Sequence, residues 1–542
     1  MFARKLAIAA LFSAGLVLAA DGIQPKKNVP QFQTSDRCLA CHNSLVSPSG
    51  ADVSIGFHWR ASIMANSSHD PYWQASVRRE VMDHPQAQAD IQDECSICHM
   101  PIMRYESKLR GKTGQVFANL PISTDDTEHR QAADGVSCSV CHQISKDKLG
   151  TTESYNGGFV VQGPDKEGRH AEYGPYDINA GIQRIMRTST EGYRPEKADH
   201  IRDSELCGTC HTLITTARGE GGKAIGSLPE QMPYPEWLHS DYREKQSCQN
   251  CHMPEIKEPV QITRVLGEER EGARLHSFIG GNFFMLRLLN RYRGELGVSA
   301  LPTELNENAA ATLRFLETQS ASLAIENMSV QGGRVQADVV IHNKNGHKLP
   351  TAYPSRRAWL HLVVRDADGQ AVFESGALNA NGSIAGNDND ADPLRYEPHY
   401  TEIRSPDQVE IYESILGDEK KHVTTGLLSA TGYLKDNRLL PDGFDKRTAQ
   451  PEIAVVGDAL NDPAFTSGGH RVHYSAALGN GSGPFTIEVE LLYQPIGYRW
   501  ANNLKTYNSA DEPRRFNSYY DSMQSSTAAV LARAAVKYGG RP

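Results

Sequence analysis

All ten cysteines of the chain lie in five Cys-x-x-Cys-His pentads, and no cysteine is left over. Two thiols three positions apart can reach both vinyl groups of one haem, and the adjacent histidine can turn its imidazole onto the iron. The pattern therefore predicts five covalently attached c-type haems. The attaching cysteines are Cys38, Cys41, Cys95, Cys98, Cys138, Cys141, Cys207, Cys210, Cys248 and Cys251. The proximal iron ligands are His42, His99, His142, His211 and His252, which number the pentads first to fifth.

Structural zinc and disulfides are the alternative uses of these cysteines. Zinc ribbons pair two Cys-x-x-Cys arms without requiring a histidine after each second cysteine, and five arms would leave one arm unpaired. Disulfides suit a secreted chain, but a secreted protein of this size rarely confines every cysteine to a three-residue spacing. Both alternatives are disfavoured by the complete set.

The first twenty residues have the pattern of a secretory signal peptide. Arg4 and Lys5 precede an apolar run that ends at Leu18, and small residues follow at Ala19 and Ala20, where we expect cleavage. No later stretch approaches the roughly 20 apolar residues that a membrane span needs. The sequence predicts a periplasmic or secreted protein without a transmembrane segment, in agreement with c-type haem attachment outside the cytoplasmic membrane.

Length and charge limit the remaining classes of function. The 542 residues allow two to four domains, and 39% hydrophobic with 22% charged residues is a globular composition. The formal charge of -9 and the absence of any block of lysine and arginine argue against a nucleic-acid partner.

The fold class predicted from the pattern is α+β with several domains. Between pentads apolar periodicity is weak and turns are frequent, which indicates short helices joined by long loops around the haems. Short alternating strands at 334–342, 359–364, 371–374 and 485–493 then favour an immunoglobulin-like β-sandwich. The predicted divisions are a signal peptide at 1–20, a pentahaem cytochrome c domain at 21–282, a helical connector at 283–320, the β-sandwich at 321–500 and a C-terminal helical tail at 501–542.

Three helices are predicted with individual bounds. The first covers 283–296, and the second covers 304–319 with Thr303 as its N-cap. The third covers 527–537 at the end of the tail.

Beyond the pentads, several motifs resemble a group of exported bacterial multihaem (pentahaem) c-type cytochromes. Members of this group are related in haem packing to the tetrahaem carriers of ammonia oxidisers and to the pentahaem nitrite reductases. The motifs are residues 58–66 with 70–73, 93–101, 134–143, 199–207, 236–237, 276–282, 346–351 and 437–444. The resemblance implies shared architecture with a C-terminal β-domain and electron transfer, but no substrate, because substrates differ within the group.

The comparison with nitrite reductases depends on the pentad histidines. In that family the catalytic haem has lysine in place of the pentad histidine. Here all five pentads end in histidine, which removes the best sequence mark of that activity. A tyrosine crosslink or an open iron site remains compatible with reductase chemistry.

Function depends on the sixth ligand of each iron, because an iron with two axial side chains passes electrons and resists substrate. His84, His200 and His276 are the favoured distal ligands. His58 and Met64 compete for an early haem, while His129 and His170 are equally compatible with a surface role. His347, in a polar loop of the β-domain, would fasten that domain to the cytochrome through an iron bond; a turn histidine is the alternative. His239 and His361 are predicted to be structural.

An oxygen-rich loop at 387–392, followed by Glu397, His399 and Tyr400, is a candidate calcium site. It lacks the ligand spacing of an EF-hand, so a solvated acidic loop is favoured.

The function predicted is electron transfer between redox partner proteins, with the β-domain docking one of them. Two alternatives stay open. One is a multihaem oxidoreductase acting on a small nitrogen or sulfur compound at one open haem. The other is a structural or filament-forming cytochrome, in which the chain forms oligomers.

Overall fold

The structure is a computed structural model that describes residues 30–539. The predicted signal peptide and its cleavage near Ala19 or Ala20 lie outside the described residues. The pentad-bearing part consists of short helices and loops, as predicted. Its helices are α1 (Asp36–Leu39), α2 (Ile55–Arg60), α3 (Pro71–Asp83), α4 (Gln88–His99), α5 (Pro101–Leu109), α6 (Thr127–Ala133), α7 (Cys138–Gln143), α8 (Ala180–Ser189), α9 (Ser204–Gly208), α10 (Pro233–Leu238) and α11 (Cys248–His252). Its strands are β1 (His170–Gly174), β2 (Tyr193–Lys197), β3 (Leu213–Arg218), β4 (Ala224–Gln231), β5 (Val260–Gln261) and β6 (Glu269–Arg270).

Two helices connect this part to the β-sheets: α12 (Phe283–Arg291) and α13 (Pro302–Gln319). The prediction of Thr303 as N-cap was wrong, because α13 begins at Pro302 with Leu301 as its N-cap. Proline is well suited to a first helical position, since its missing N–H would have no partner there. The Glu304 carboxylate accepts a hydrogen bond from the Leu301 N–H at 2.9 Å, which satisfies a donor at the start of the helix.

The C-terminal half is dominated by β-strands, and the strands predicted from alternation are confirmed as β8, β9, β10 and β18. The strands are β7 (Ala321–Gln331), β8 (Arg334–Asn343), β9 (Arg357–Arg365), β10 (Ala371–Ser375), β11 (Glu402–Ile403), β12 (Ile411–Tyr412), β13 (Ser414–Asp418), β14 (Val423–Thr424), β15 (Ala430–Asp436), β16 (Phe465–Thr466), β17 (Gly469–Ala477), β18 (Phe485–Gln494) and β19 (Ala529–Tyr538). The helices are α14 (Asp388–Ala391), α15 (Tyr498–Asn503) and α16 (Asp511–Met523).

Two five-stranded sheets form the centre of this half. One has the order β10-β9-β18-β19 with β12 beside β9, and the other has the order β11-β17-β8-β7 with β16 beside β17. Val335, Val339 and Ile341 alternate along β8 and share one buried core with Leu362 and Val489 of the other sheet. A mixed α+β architecture is therefore confirmed, while the immunoglobulin-like type of the sandwich stays a prediction.

The prediction of a helix at 527–537 was wrong, because this segment forms strand β19. It pairs antiparallel with β18, with Val536 opposite Ile487 and Ala532 opposite Leu491. The alanine-rich sequence favours a helix locally. Pairing with a neighbouring strand and burial of Leu531, which has no exposed surface, override that preference.

The two halves of the chain are joined by helices distant in sequence. α16 packs on α3, where the Arg78 guanidinium forms a two-armed ion pair with Glu512 at 2.8 and 2.9 Å. The rings of Tyr72 and Phe516 lie 5.1 Å apart beside it. Within residues 30–539, no helix is long and apolar enough to cross a membrane.

Candidate haem sites

The five pentads open into one cavity of about 1240 Å³. All ten cysteines and all five pentad histidines line its wall, although they are spread over residues 38–252. Segments from the β-rich half close the cavity, including His347, Tyr353 and Arg356. Thiols in pairs, each pair with its own imidazole, therefore surround a single shared space.

Each pentad lies on or beside a helical turn. α7 and α11 begin at the first cysteine of the third and fifth pentads, and α4 ends at His99 of the second. In the first and fourth pentads the turn is completed by hydrogen bonds from the His42 N–H to the Cys38 carbonyl at 3.1 Å and from the His211 N–H to the Cys207 carbonyl at 2.9 Å. Residues three and four apart share one face of a helix, so both thiols and the imidazole project to the same side.

Four of the five pentad imidazoles have one ring nitrogen against a backbone carbonyl. A hydrogen bond from Nδ1–H to a carbonyl fixes the tautomer and leaves the Nε2 lone pair for a metal. His211 has no such bond among the described residues. The bonds are His42 Nδ1 to Ile262 O at 2.5 Å, His99 Nδ1 to Ser67 O at 2.9 Å, His142 Nδ1 to Tyr173 O at 2.6 Å and His252 Nδ1 to Ile279 O at 2.5 Å.

Burial keeps these rings neutral, which is the form that binds a metal. It lowers the pKa of His99 and of His211 to about 4, and it lowers the pKa of the other three pentad histidines in the same direction. Burial also lowers the pKa of His276 to about 3 and that of His347 to about 4.

Two of the predicted distal histidines face pentad histidines across the cavity. The rings of His252 and His347 have centres 6.2 Å apart and planes within 9°. The rings of His142 and His276 have centres 6.5 Å apart and planes within 20°. Two imidazoles on opposite sides of one metal, each with a metal–nitrogen bond of about 2 Å, have ring centres about 6 Å apart. Both pairs therefore have the spacing of axial ligands to a single iron.

In His276 and His347, as in four of the pentad histidines, the Nδ1 atom lies against a backbone carbonyl. His276 Nδ1 lies 3.0 Å from the Arg274 carbonyl, and His347 Nδ1 lies 2.9 Å from the Lys348 carbonyl. In both residues the Nε2 atom is thus left for the cavity.

The remaining predicted distal ligands are placed differently. Met64 lines the cavity, whereas His58, His84, His129 and His200 are absent from its described wall. Each of these four histidines has another partner. The contacts are His58 Nε2 to Asp52 O at 3.3 Å, His84 Nε2 to Ser429 Oγ at 3.2 Å, His129 Nδ1 to Asp126 Oδ2 at 2.8 Å and His200 Nε2 to Ile144 O at 2.8 Å.

Thiols of different pentads lie close to one another. Cys38 and Cys138, Cys98 and Cys210, and Cys207 and Cys248 are near enough to shift each other's pKa. These pairs make neighbours of the first and third pentads, the second and fourth, and the fourth and fifth. Trp73, to which the sequence assigned no role, stacks on His99 with ring centres 4.3 Å apart.

A buried group of charges holds the loop of His347 against the pentad-bearing half. Arg438 Nη1 lies 3.1 Å from a Glu236 oxygen, and its Nη2 lies 2.7 Å from Asp436 Oδ2. Lys348 Nζ binds the same Asp436 oxygen at 2.8 Å. Its backbone N–H donates to Glu236 at 3.1 Å, and Thr351 donates to Glu236 at 2.5 Å. Glu236 belongs to α10, so this group joins the two halves.

In the candidate calcium loop, carboxylates form ion pairs and hydrogen bonds with other groups of the protein. Asp390 is buried, and its two carboxylate oxygens accept hydrogen bonds from Nη1 and Nη2 of Arg357 at 2.8 and 2.9 Å. Asp388 pairs with Arg395, and Glu397 accepts a hydrogen bond from the Asp388 N–H at 2.9 Å. These contacts engage several of the loop's carboxylate oxygens within the protein, and the structure adds no support for calcium.

Comparisons with known proteins give one distant likeness. No family model matches the chain, and no curated protein matches it. Among solved structures, it is similar to a penta-heme cytochrome c552 from Thermochromatium tepidum, with 15% sequence identity and a TM-score of 0.49. The match covers 94% of this chain and 99% of the other.

Proposed function

We propose that this protein binds five c-type haems covalently and transfers electrons. The observation that carries the proposal is the single cavity into which all ten pentad cysteines and all five pentad histidines open. Haem iron supplies one-electron redox chemistry when it is bound. A shared cavity would hold the cofactors close together, which is what electron transfer among them requires.

The side chains divide the work of binding. In each pentad the two cysteines would form the thioether bonds, and the histidine would offer Nε2 to the iron. The carbonyls of Ile262, Ser67, Tyr173 and Ile279 orient four of these rings by holding Nδ1–H. The proximity of thiols of different pentads supports an order in which the fourth pentad has the second and fifth as neighbours.

His276 would be the second protein ligand of the haem at the third pentad, and His347 that of the haem at the fifth. The ring spacing and the free Nε2 atoms support both assignments. Met64 remains the candidate for an early pentad, since it lines the cavity. His58, His84, His129 and His200 would first have to exchange the partners described above. An iron with an imidazole on each side has no free position at which a substrate can bind, which favours an electron carrier.

A second candidate function is an oxidoreductase with one open iron position, acting on a small nitrogen or sulfur compound. The observation that favours it is His211. Within residues 30–539 this imidazole has neither a carbonyl on Nδ1 nor a second imidazole facing it. The fourth pentad is therefore the place where we would look for an exogenous ligand.

Export to the periplasm or the exterior, with soluble redox proteins as donor and acceptor, belongs to the same proposal. It is supported by the leader-like first twenty residues and by the requirement that c-type haem be attached outside the cytoplasmic membrane.

Intact-protein mass spectrometry tests the proposal directly. Protein produced with a haem-attachment system is expected to exceed its polypeptide mass by five haems, and the Cys207→Ser/Cys210→Ser double variant by four. A wild-type protein that carries fewer than five haems would contradict the proposal.

Cyanide titration distinguishes the two candidate functions. An unchanged haem spectrum supports an electron carrier, whereas a change in about one fifth of the haem absorbance supports an open iron position.

A further inference from the structure

Outside the cavity, the β-rich half buries a second group of metal-ligating side chains. His399, Glu410 and His470 each have one ligand atom within 4.8 Å of those of the other two. Their side chains are at most 1% exposed. Glu410 directly precedes β12, which belongs to the sheet of β9, and His470 lies on β17 of the other sheet. The group therefore lies where the two sheets meet.

The Nδ1 atoms of both His399 and His470 face the carboxylate of Glu410. Glu410 Oε1 lies 2.9 Å from His399 Nδ1 and 4.0 Å from His470 Nδ1. On the opposite edge, both Nε2 atoms lie against one oxygen of Asp462, at 3.0 and 2.9 Å. Histidines that bind metals commonly donate their other ring N–H to a carboxylate, which fixes the ring and its tautomer. Asp462 is in that position for both rings.

Neighbouring groups hold the Glu410 carboxylate in place. Its Oε2 accepts a hydrogen bond from the Tyr400 N–H at 2.6 Å, and its Oε1 accepts one from the Asn437 amide at 2.9 Å. When both Nε2–H groups are donated to Asp462, the His399 Nδ1 lone pair faces Glu410 Oε1 at 2.9 Å and the Asn437 amide at 3.2 Å. The contact with Glu410 is then favourable when a metal ion or a proton lies between the two atoms.

The charge balance also favours a metal cation at this place. Glu410 and Asp462 are two buried carboxylates, and in the described chain their ion-pair partners are His399 and His470 alone. Two lysines lie nearby: Lys435 binds Glu413 at 3.1 Å, and Lys446 donates to the backbone carbonyl of Asp462 at 2.6 Å. Buried charges are tolerated when they are paired or bind a metal. One divalent cation would neutralise both carboxylates.

We propose that His399, His470 and Glu410 bind a divalent transition-metal ion, and zinc is the ion that their chemistry favours. Two imidazoles and one carboxylate are zinc ligands, whereas calcium takes oxygen ligands. Tyr412 Oη, 2.9 Å from His470 Nδ1, is the candidate for the fourth position. Because the group is buried between the sheets, the site is structural and clamps them together.

A protonated His399 bridging the two carboxylates is the competing description, since it also supplies a positive charge. Burial acts to lower the pKa of His399, but Glu410 and Asp462 raise it by a larger amount. The two descriptions differ in metal content.

Elemental analysis of the purified holoprotein distinguishes them. We expect about one zinc ion per chain, in addition to haem iron, after dialysis against zinc chloride and then against buffer. His470→Gln and Glu410→Gln are expected to lower the zinc content at least five-fold. His473→Gln is the matched control, because this residue lies on the same strand with its side chain 41% exposed, and its variant should retain zinc. A wild-type protein without zinc, or variants that retain it, would overturn the proposal.

X-ray absorption at the zinc edge of the wild-type protein gives a second measurement if the variants fail to fold. The expected spectrum shows imidazole scattering with nitrogen ligands at about 2.0–2.1 Å. A zinc spectrum that lacks imidazole scattering would place the ion elsewhere and reject the site.

Discussion

Replacing His347 with alanine is expected to convert about one fifth of the haem absorbance from the low-spin to the high-spin form. His347 faces His252 with ring centres 6.2 Å apart, so its removal would leave the iron at the fifth pentad with one axial imidazole. Added imidazole is expected to enter the vacated position and restore the low-spin spectrum. Visible spectra of the oxidised protein, recorded before and after imidazole addition, measure both changes.

His342→Ala is the matched control for this experiment. His342 lies at the end of β8, five residues before His347, and its side chain is 48% exposed. This variant is expected to keep the wild-type spectrum. A low-spin spectrum in the His347 variant without imidazole would show that another side chain binds this iron, and the assignment of His347 would be wrong.

Replacing Arg438 with methionine is expected to lower the free energy of unfolding by about 3–5 kcal/mol. Arg438 lies between Glu236 and Asp436, and all three side chains are at most 6% exposed. Without the guanidinium, the two buried carboxylates would retain, among residues 30–539, only Lys348 as a positive partner. Denaturant-induced unfolding followed by circular dichroism measures the loss.

Two further variants give this prediction its controls. Arg471→Met removes an ion pair of a guanidinium with a 41% exposed side chain, and its expected cost is about 1 kcal/mol or less. Adding Glu236→Gln to Arg438→Met removes one uncompensated charge and should restore part of the stability. Equal losses in the Arg438 and Arg471 variants would mean that the buried group does not join the halves as described.

Local sequence pattern predicted much of the fold, because some signals need no distant partner. The alternation along β8 and β18 identifies each strand and its buried face. β19 could not be found in this way, since its alanine-rich segment favours a helix until β18 lies beside it.

In the candidate site, too, the features that depend on residues distant in sequence could not be predicted from local pattern. The pentads identify ten cysteines and five histidines by spacing alone. Distance along the chain is a poor guide to distal ligands, because the cavity is closed by segments far apart in sequence. His84 lies eleven residues before Cys95 and His200 seven before Cys207, yet both are placed against other groups. His347 comes from the β-rich half and faces His252, a pairing that no local pattern contains.

The packing of α16 on α3 bears on the order of events during biogenesis. The ion pair between Arg78 and Glu512 joins residues 434 positions apart, so it cannot form until nearly the whole polypeptide is present. Contacts of such high sequence separation form late, because the intervening chain must first be brought together. The pentad segments, all of which precede residue 253, would therefore be accessible to an attachment machinery before the wall around them is complete. On the proposed function, cofactor loading and final folding would be separable steps, with loading first.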